Sequence, residues 1–121
     1  MTTLITRPWN EIRERYVEFL PDSAWAQPMI NLIDYICASE LSSLSAWTSM
    51  HDLCISQTPV TYPDTGPYLR VSPLANDQLE FRYVDTPEKH KQWCRIVSFE
   101  DAVPRLDGFV RQLHWSTARP E

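Results

Sequence analysis

Three short runs in the second half of the chain alternate apolar and polar residues, and together they dictate a sheet. Tyr68-Leu69-Arg70-Val71-Ser72 alternates up to Pro73, which either ends the pairing or marks an edge, because proline has no N–H to give to a ladder. Ala75-Asn76-Asp77 has the chemistry of a turn. Gln78 to Val84 alternates again, with Leu79, Phe81 and Tyr83 on one face. A charged turn from Thr86 to Lys91 leads to a third run, Gln92 to Ser98, with Trp93, Cys94, Ile96 and Val97. Short strands joined by tight turns pair antiparallel, as a meander. The opposite face of that sheet carries Arg70, Glu80, Arg82 and, as a fourth member, Arg95, placed for cross-strand ion pairs or for a polar recognition surface.

Helical periodicity flanks these strands. Pro8 suits a first helical turn, with Thr6 nearby as a cap, and Trp9, Ile12, Tyr16, Phe19 and Leu20 then recur at three- and four-residue spacing until Pro21. A second helix starts at Pro28, with Met29, Leu32, Ile33, Ile36 and Cys37 as its stripe, and fades between Ser39 and Leu41. Asp22 to Gln27 is a short link, so the two helices pack together. A last helix follows Ser98, with Asp101 in a weaker version of a capping box and a broad apolar face that includes Phe99, Leu106, Phe109 and Leu113. Pro104 and Gly108 oppose it, at about 3 and about 1 kcal/mol in a regular interior. This predicts a kink near Pro104 or a first turn offset from the main helix. Residues 116–121 have no pattern and are expected to fray.

The middle of the chain is less explicit. Residues 41–49 are serine-rich and read as a turn leading into a strand, and Met50 to Ser56 reads as a buried strand around Leu53, Cys54 and Ile55. Residues 57–67 hold Pro59, Pro63, Gly66 and Pro67 and read as a stiff, irregular loop. The whole is one α+β domain over residues 1–121: two N-terminal helices, an antiparallel meander of three to four strands, and a C-terminal helix packed on the sheet.

Composition then narrows function. Gly66 and Gly108 are the only two glycines, and neither lies in a phosphate-cradling loop, which argues against nucleotide and dinucleotide sites. The net charge of −5 disfavours nucleic acid and anionic membranes as partners. Most of that charge lies in residues 1–60, where seven acids face three bases. Three widely spaced cysteines, Cys37, Cys54 and Cys94, do not make a disulfide framework, and the start Met1-Thr2-Thr3-Leu4-Ile5-Thr6-Arg7-Pro8 lacks the order of a signal peptide. Both point to a reducing cytoplasm.

Chemistry is hard to place. The three cysteines and three histidines form no tight ligand pair, so neither a metal nor another cofactor is expected. His51-Asp52 beside Cys54 has the residue types of a nucleophilic site, but adjacent strand residues point to opposite faces and Cys54 sits between Leu53 and Ile55 like a packed core thiol. No catalytic residue is assigned. Glu11, Glu14 and Glu18 share one helical face at spacings of three and four, as a solvated stripe or as a dock for a basic surface. Among the aromatics, Trp25, Trp47 and Tyr62 fall in connections, where nothing forces them inward, and are candidates for partner contacts.

The acidic helix Glu11/Glu14/Glu18, unpaired aromatics such as Trp25 and Trp47, and a single domain without a catalytic motif resemble the make-up of bacterial immunity proteins, small acidic antitoxins that block a secreted toxin domain. The resemblance is compositional and assigns no residue by itself. It implies a non-enzymatic protein, monomeric or homodimeric, that occludes a basic toxin surface. Its carboxylates would steer the encounter and its aromatics would anchor it. The alternative is a small-molecule or regulatory domain with a pocket lined by Phe81, Tyr83 and Trp93.

Overall fold

The alternating runs form the centre of an antiparallel sheet. The computed structural model describes residues 3–62 and 66–115, with the backbone alone for Thr3 and Tyr62. In chain order it contains β1 (Thr3–Leu4), α1 (Trp9–Val17), α2 (Ala26–Cys37), β2 (Ser45–Ser49), β3 (Asp52–Ser56), β4 (Thr61–Tyr62), β5 (Tyr68–Leu74), β6 (Gln78–Val84), β7 (Trp93–Ser98) and α3 (Ala102–Gln112). Five strands make the main sheet in the order β2-β3-β5-β6-β7, and β1 and β4 pair as a separate ribbon. The architecture is α+β, with the β1–β4 pair and the strand β2 more than the sequence reading.

Local chemistry explains most elements. The turn between β5 and β6 places Asn76 at φ 62° and Asp77 at φ 59°, left-handed values that short polar side chains tolerate. Pro73 lies inside β5 without harm. It pairs with Leu79 of β6, while β3 reaches only as far as Val71, so Pro73 is locally at an edge. In α1, Pro8 stands at the N-cap position and its carbonyl accepts from the Glu11 and Ile12 amides; no side chain caps the helix, so Thr6 does not play that part. The helix closes at Val17, earlier than Pro21. Phe19 and Leu20 then continue in tight i→i+3 turns and still pack on the core. Helix α2 starts at Ala26 rather than Pro28, which puts Pro28 in the first turn, where a backbone N–H would have no helical acceptor and its absence costs nothing.

Helix α3 resolves its two opposing residues in different ways. A 3₁₀ turn, Phe99–Asp101, precedes it, so Pro104 is the third α-helical residue and breaks no intrahelical bond: the offset first turn is present. The capping box is not. The Ser98 Oγ is buried without a hydrogen-bond partner and accepts nothing from the helix amides. The C-terminal end is a Schellman turn: His114 sits at φ 59°, the Trp115 amide donates to Val110 and the His114 amide to Arg111, both at 3.1 Å. Gly108 is mid-helix, outside the left-handed region, and a Cβ there would meet nothing within 4 Å. Gly108→Ala is therefore expected to stabilise the protein by roughly 1 kcal/mol, through backbone entropy alone. Urea and thermal melts should show a rise of a few degrees with an unchanged m-value.

The three helices cover one face of the sheet. Leu53, Ile55, Leu69, Val71, Leu79 and Phe81 project into that layer and are essentially inaccessible, against Ile12, Tyr16, Ile33 and Ile36 from α1 and α2. Phe81 meets Phe109 of α3 edge-on at 5.1 Å. Burial of each such side chain contributes roughly 1.5–3 kcal/mol. The Tyr35 hydroxyl of α2 donates to Asp107 of α3 at 3.1 Å, and Asp107 also pairs with Arg111 at 2.7 Å, which joins the two helices above the core. A smaller cluster of Trp47, Cys54 and Val60 lies on the other face, with Ile5 and Tyr68 packed against it.

Candidate functional site

The acidic stripe of α1 forms one wall of a shallow groove. Glu11, Glu14 and Glu18 are exposed and line, with Arg7, Ile12, Arg15 and Thr48, a depression of about 340 Å³. None of the three carboxylates forms an ion pair among the described residues. The nearby bases are partly committed elsewhere. Arg13 is held by Asp34 at 2.7 Å, and the Arg7 guanidinium donates to the Leu4 and Thr6 carbonyls. Arg7, whose hydrogen bonds to neutral carbonyls leave its charge intact, and Arg15 are left to offset three acids.

Thr48 leads from this groove to the β2–β3 hairpin, where Ser49 pairs with Asp52 and only Met50 and His51 make the turn. Met50 stands at φ 58° and is 80% exposed. A left-handed backbone on an unbranched apolar residue is disfavoured by about 1–2 kcal/mol relative to its usual conformations. The turn is held from outside. The Tyr16 hydroxyl donates to the His51 carbonyl at 2.9 Å. The His51 ring stacks on Trp25 at 4.8 Å and meets Phe19 edge-on at 4.9 Å. Tyr16 in turn touches Phe19 and Trp25, each at 6.2 Å between centroids. The tip is thus a rigid, protruding apolar residue beside a negative groove.

The aromatic candidates separate. Trp25 is half-buried, part of this cluster and packed against the main core. Trp47 is only 9% exposed; its ring packs on Tyr68 at 5.0 Å, among Cys54 and Val60, so it cannot serve as a free partner contact. Its connection is in fact strand β2, and strand geometry turns it into the second cluster. The Tyr62 side chain lies outside the described residues. The turn at Met50 and His51 was missed, and His51 was weighed only beside Cys54, because neither is a turn-forming residue and the contacts that hold them come from more than 25 residues away.

The open face of the sheet carries ion pairs of a different pattern from the one expected. Arg70 faces Arg82 directly across β5–β6, a like-charge pair. Each finds its carboxylate elsewhere: Arg70 reaches Asp52 on β3 at 2.6 Å, and Arg82 meets Glu80 two residues back on its own strand at 3.3 Å. Arg95 is not on this face. It pairs in register with Phe81, which places it on the helix-facing side, near the ring of Trp93.

No catalytic constellation forms around Cys54. His51 turns to the helix side and stacks on Trp25, whereas Asp52 turns to the open face and binds Arg70. Burial pushes the Cys54 thiol up to about 12, far from the range of a reactive thiolate. Among the described residues no group of three or more His, Cys, Asp or Glu side chains is arranged to hold a metal, and no helix is long and apolar enough to cross a membrane. A cavity of about 180 Å³ lies between α3 and the sheet, lined by Leu69, Tyr83, Trp93, Phe109, Gln112 and Leu113. Tyr83 and Trp93 were expected there; Phe81 is fully enclosed in the core instead.

Comparison with known proteins finds no matching family model, no matching curated protein and no matching solved structure.

Proposed function

We propose that the chain is a non-catalytic protein-binding domain of the cytoplasm, an immunity protein that neutralises a toxin by covering a basic surface. The docking face is the groove of Glu11, Glu14 and Glu18 together with the hairpin tip at Met50. One observation carries this reading: three carboxylates without ion-pair partners stand beside an apolar side chain that a strained, braced turn holds out in solvent. Strained backbone persists where surrounding structure over-determines it, and such positions cluster at functional sites. Free carboxylates raise association rates toward a basic partner, and a rigid apolar projection loses little entropy when it fills a pocket.

The test uses the product of the adjacent reading frame, expected to be a secreted protein with a toxic C-terminal domain. Charge reversal of Glu11, Glu14 and Glu18 to lysine is expected to slow association by one to two orders of magnitude at low salt, with the melting temperature preserved. Met50→Ala should instead speed dissociation. Rates unaffected by both changes, or an adjacent frame whose product does not bind, would remove the proposal. A small-molecule role is the second reading, supported by the apolar cavity under α3. That cavity has Gln112, the Tyr83 hydroxyl and the Trp93 indole N–H among its lining residues and no charged group to orient a ligand.

A further inference from the structure

The two edges of the main sheet are built differently. The β2 edge is closed: the Arg7 amide donates to the Ala46 carbonyl at 2.8 Å, and the Trp9 indole donates to the Leu44 carbonyl at 3.0 Å. The β7 edge is open. Its only strand partner among the described residues is β6. Trp93, Cys94, Arg95 and Ile96 are all exposed, Ile96 at 54% and Trp93 at 40%. β7 has few of the usual protections of a free edge: it has no proline, no lysine, and a regular register with β6 from Trp93 to Ser98 without a bulge, and its one charged residue is Arg95.

Charge identifies the occupant. The basic segment Lys89-His90-Lys91 precedes β7, its Lys91 ion-paired with the adjacent Glu88 at 2.8 Å, and the acidic pair Glu100-Asp101 follows it. All five side chains are exposed. A strand with a basic start and an acidic end is complementary to itself when paired antiparallel. We propose that β7 binds β7 of a second copy of this chain across a two-fold axis, extending two five-stranded sheets into one of ten strands.

The register follows from the pleat and from charge. A two-fold axis normal to the sheet keeps each residue on its own face, so opposed residues must share parity. Centring the axis on Arg95 sets two guanidinium groups against each other, and centring it on Trp93 sets Lys91 against Arg95; both are penalised. Centring it on Cys94 lets only the first half of the strand overlap. Centring it on Ile96 opposes Ile96 to itself, Arg95 to Val97 and Cys94 to Ser98, all within β7. That register covers the exposed Ile96 and opposes no like charges. It uses the sheet edge remote from α1 and is independent of the toxin-binding proposal.

Sedimentation of the full chain at tens of micromolar should give twice the 14.2 kDa monomer mass. Ile96→Lys should return it to the monomer with unchanged circular dichroism. In a Cys37→Ser/Cys94→Ser background, Ile96→Cys should form a disulfide-linked dimer under mild oxidation, because directly opposed residues of an antiparallel pair lie about 4.5–5.5 Å apart at Cα, within disulfide reach. Cys94 in the unmodified chain should not cross-link. A monomeric wild type, a dimer that survives Ile96→Lys, or cross-linking through Cys94 in place of position 96 would each overturn the assignment.

Discussion

Tyr16→Ala is expected to lower the unfolding free energy by about 4 kcal/mol, the scale of an aromatic-to-alanine change in a closed core. Tyr16 is only 1% exposed and connects three parts of the chain. Its ring packs on Phe19 and edge-on to Trp25, which fixes the link between α1 and α2, and its hydroxyl holds the His51 carbonyl. Truncation leaves a cavity at the junction and removes the brace of the Met50 turn. Tyr16→Phe isolates the second effect and should cost about 1 kcal/mol, the net worth of one hydrogen bond. Urea denaturation measures both. Native-state hydrogen exchange at residues 50–52 separates them: in Tyr16→Phe those amides should exchange faster while the amides of β5 and β6 keep their protection. A loss below about 2 kcal/mol for Tyr16→Ala would mean that the junction relaxes into the space.

This brace also marks the boundary of what sequence reading could reach. Strands β5, β6 and β7 are legible because each has a period of two and the Asn76-Asp77 turn announces itself. The β2–β3 hairpin is not. Serines and threonines blur the period of Ser45–Ser49, and Met50-His51 has none of the glycine, asparagine or proline that marks a turn. Its backbone is fixed by Tyr16, Phe19 and Trp25, so the information is tertiary. The β1–β4 ribbon is two residues per strand, too short for any period.

The same distinction applies to the site. Glu11, Glu14 and Glu18 can be read from helical spacing, since three- and four-residue steps place them together whatever surrounds the helix. Side-chain direction in strands depends on register, and a shift of one residue reverses it. Arg95 went to the wrong face for that reason, although β7 itself was found. Trp47 was assigned to a connection, where no face is defined; as a β2 residue opposite Cys54 it is buried with it.

Cys54 gives the second large expectation. Stability should fall as pH rises from 9 toward 12, by about 3 kcal/mol from this thiol alone. Cys54 is fully enclosed, and burial is the main force that pushes its thiol up to about 12; nearby Asp52 adds to the shift and Arg70 opposes it. The unfolded thiol titrates near its ordinary value of about 8.5. The folded value is the higher one, so the contribution is complete below the unfolded pKa and disappears as pH climbs through the folded one. Above pH 9 the unfolded chain has released the proton and the native state still holds it, which gives a negative slope of about 1.4 kcal/mol per pH unit. Tyr16, raised mainly by its burial, acts in the same direction once pH exceeds about 9, when the unfolded tyrosine begins to ionise, and so do Tyr35 and Tyr83, each raised first by burial. The window from about pH 8 to 9 therefore isolates the cysteines. Cys37 adds a smaller slope there, through partial burial and the nearby Asp34. Cys54→Ala should flatten most of the decline in that window while leaving the steeper one above it. Comparing slopes rather than midpoints removes the constant loss from the small cavity. A variant with the same slope as the wild type would put water at the Cys54 thiol and break the second cluster as a packed unit.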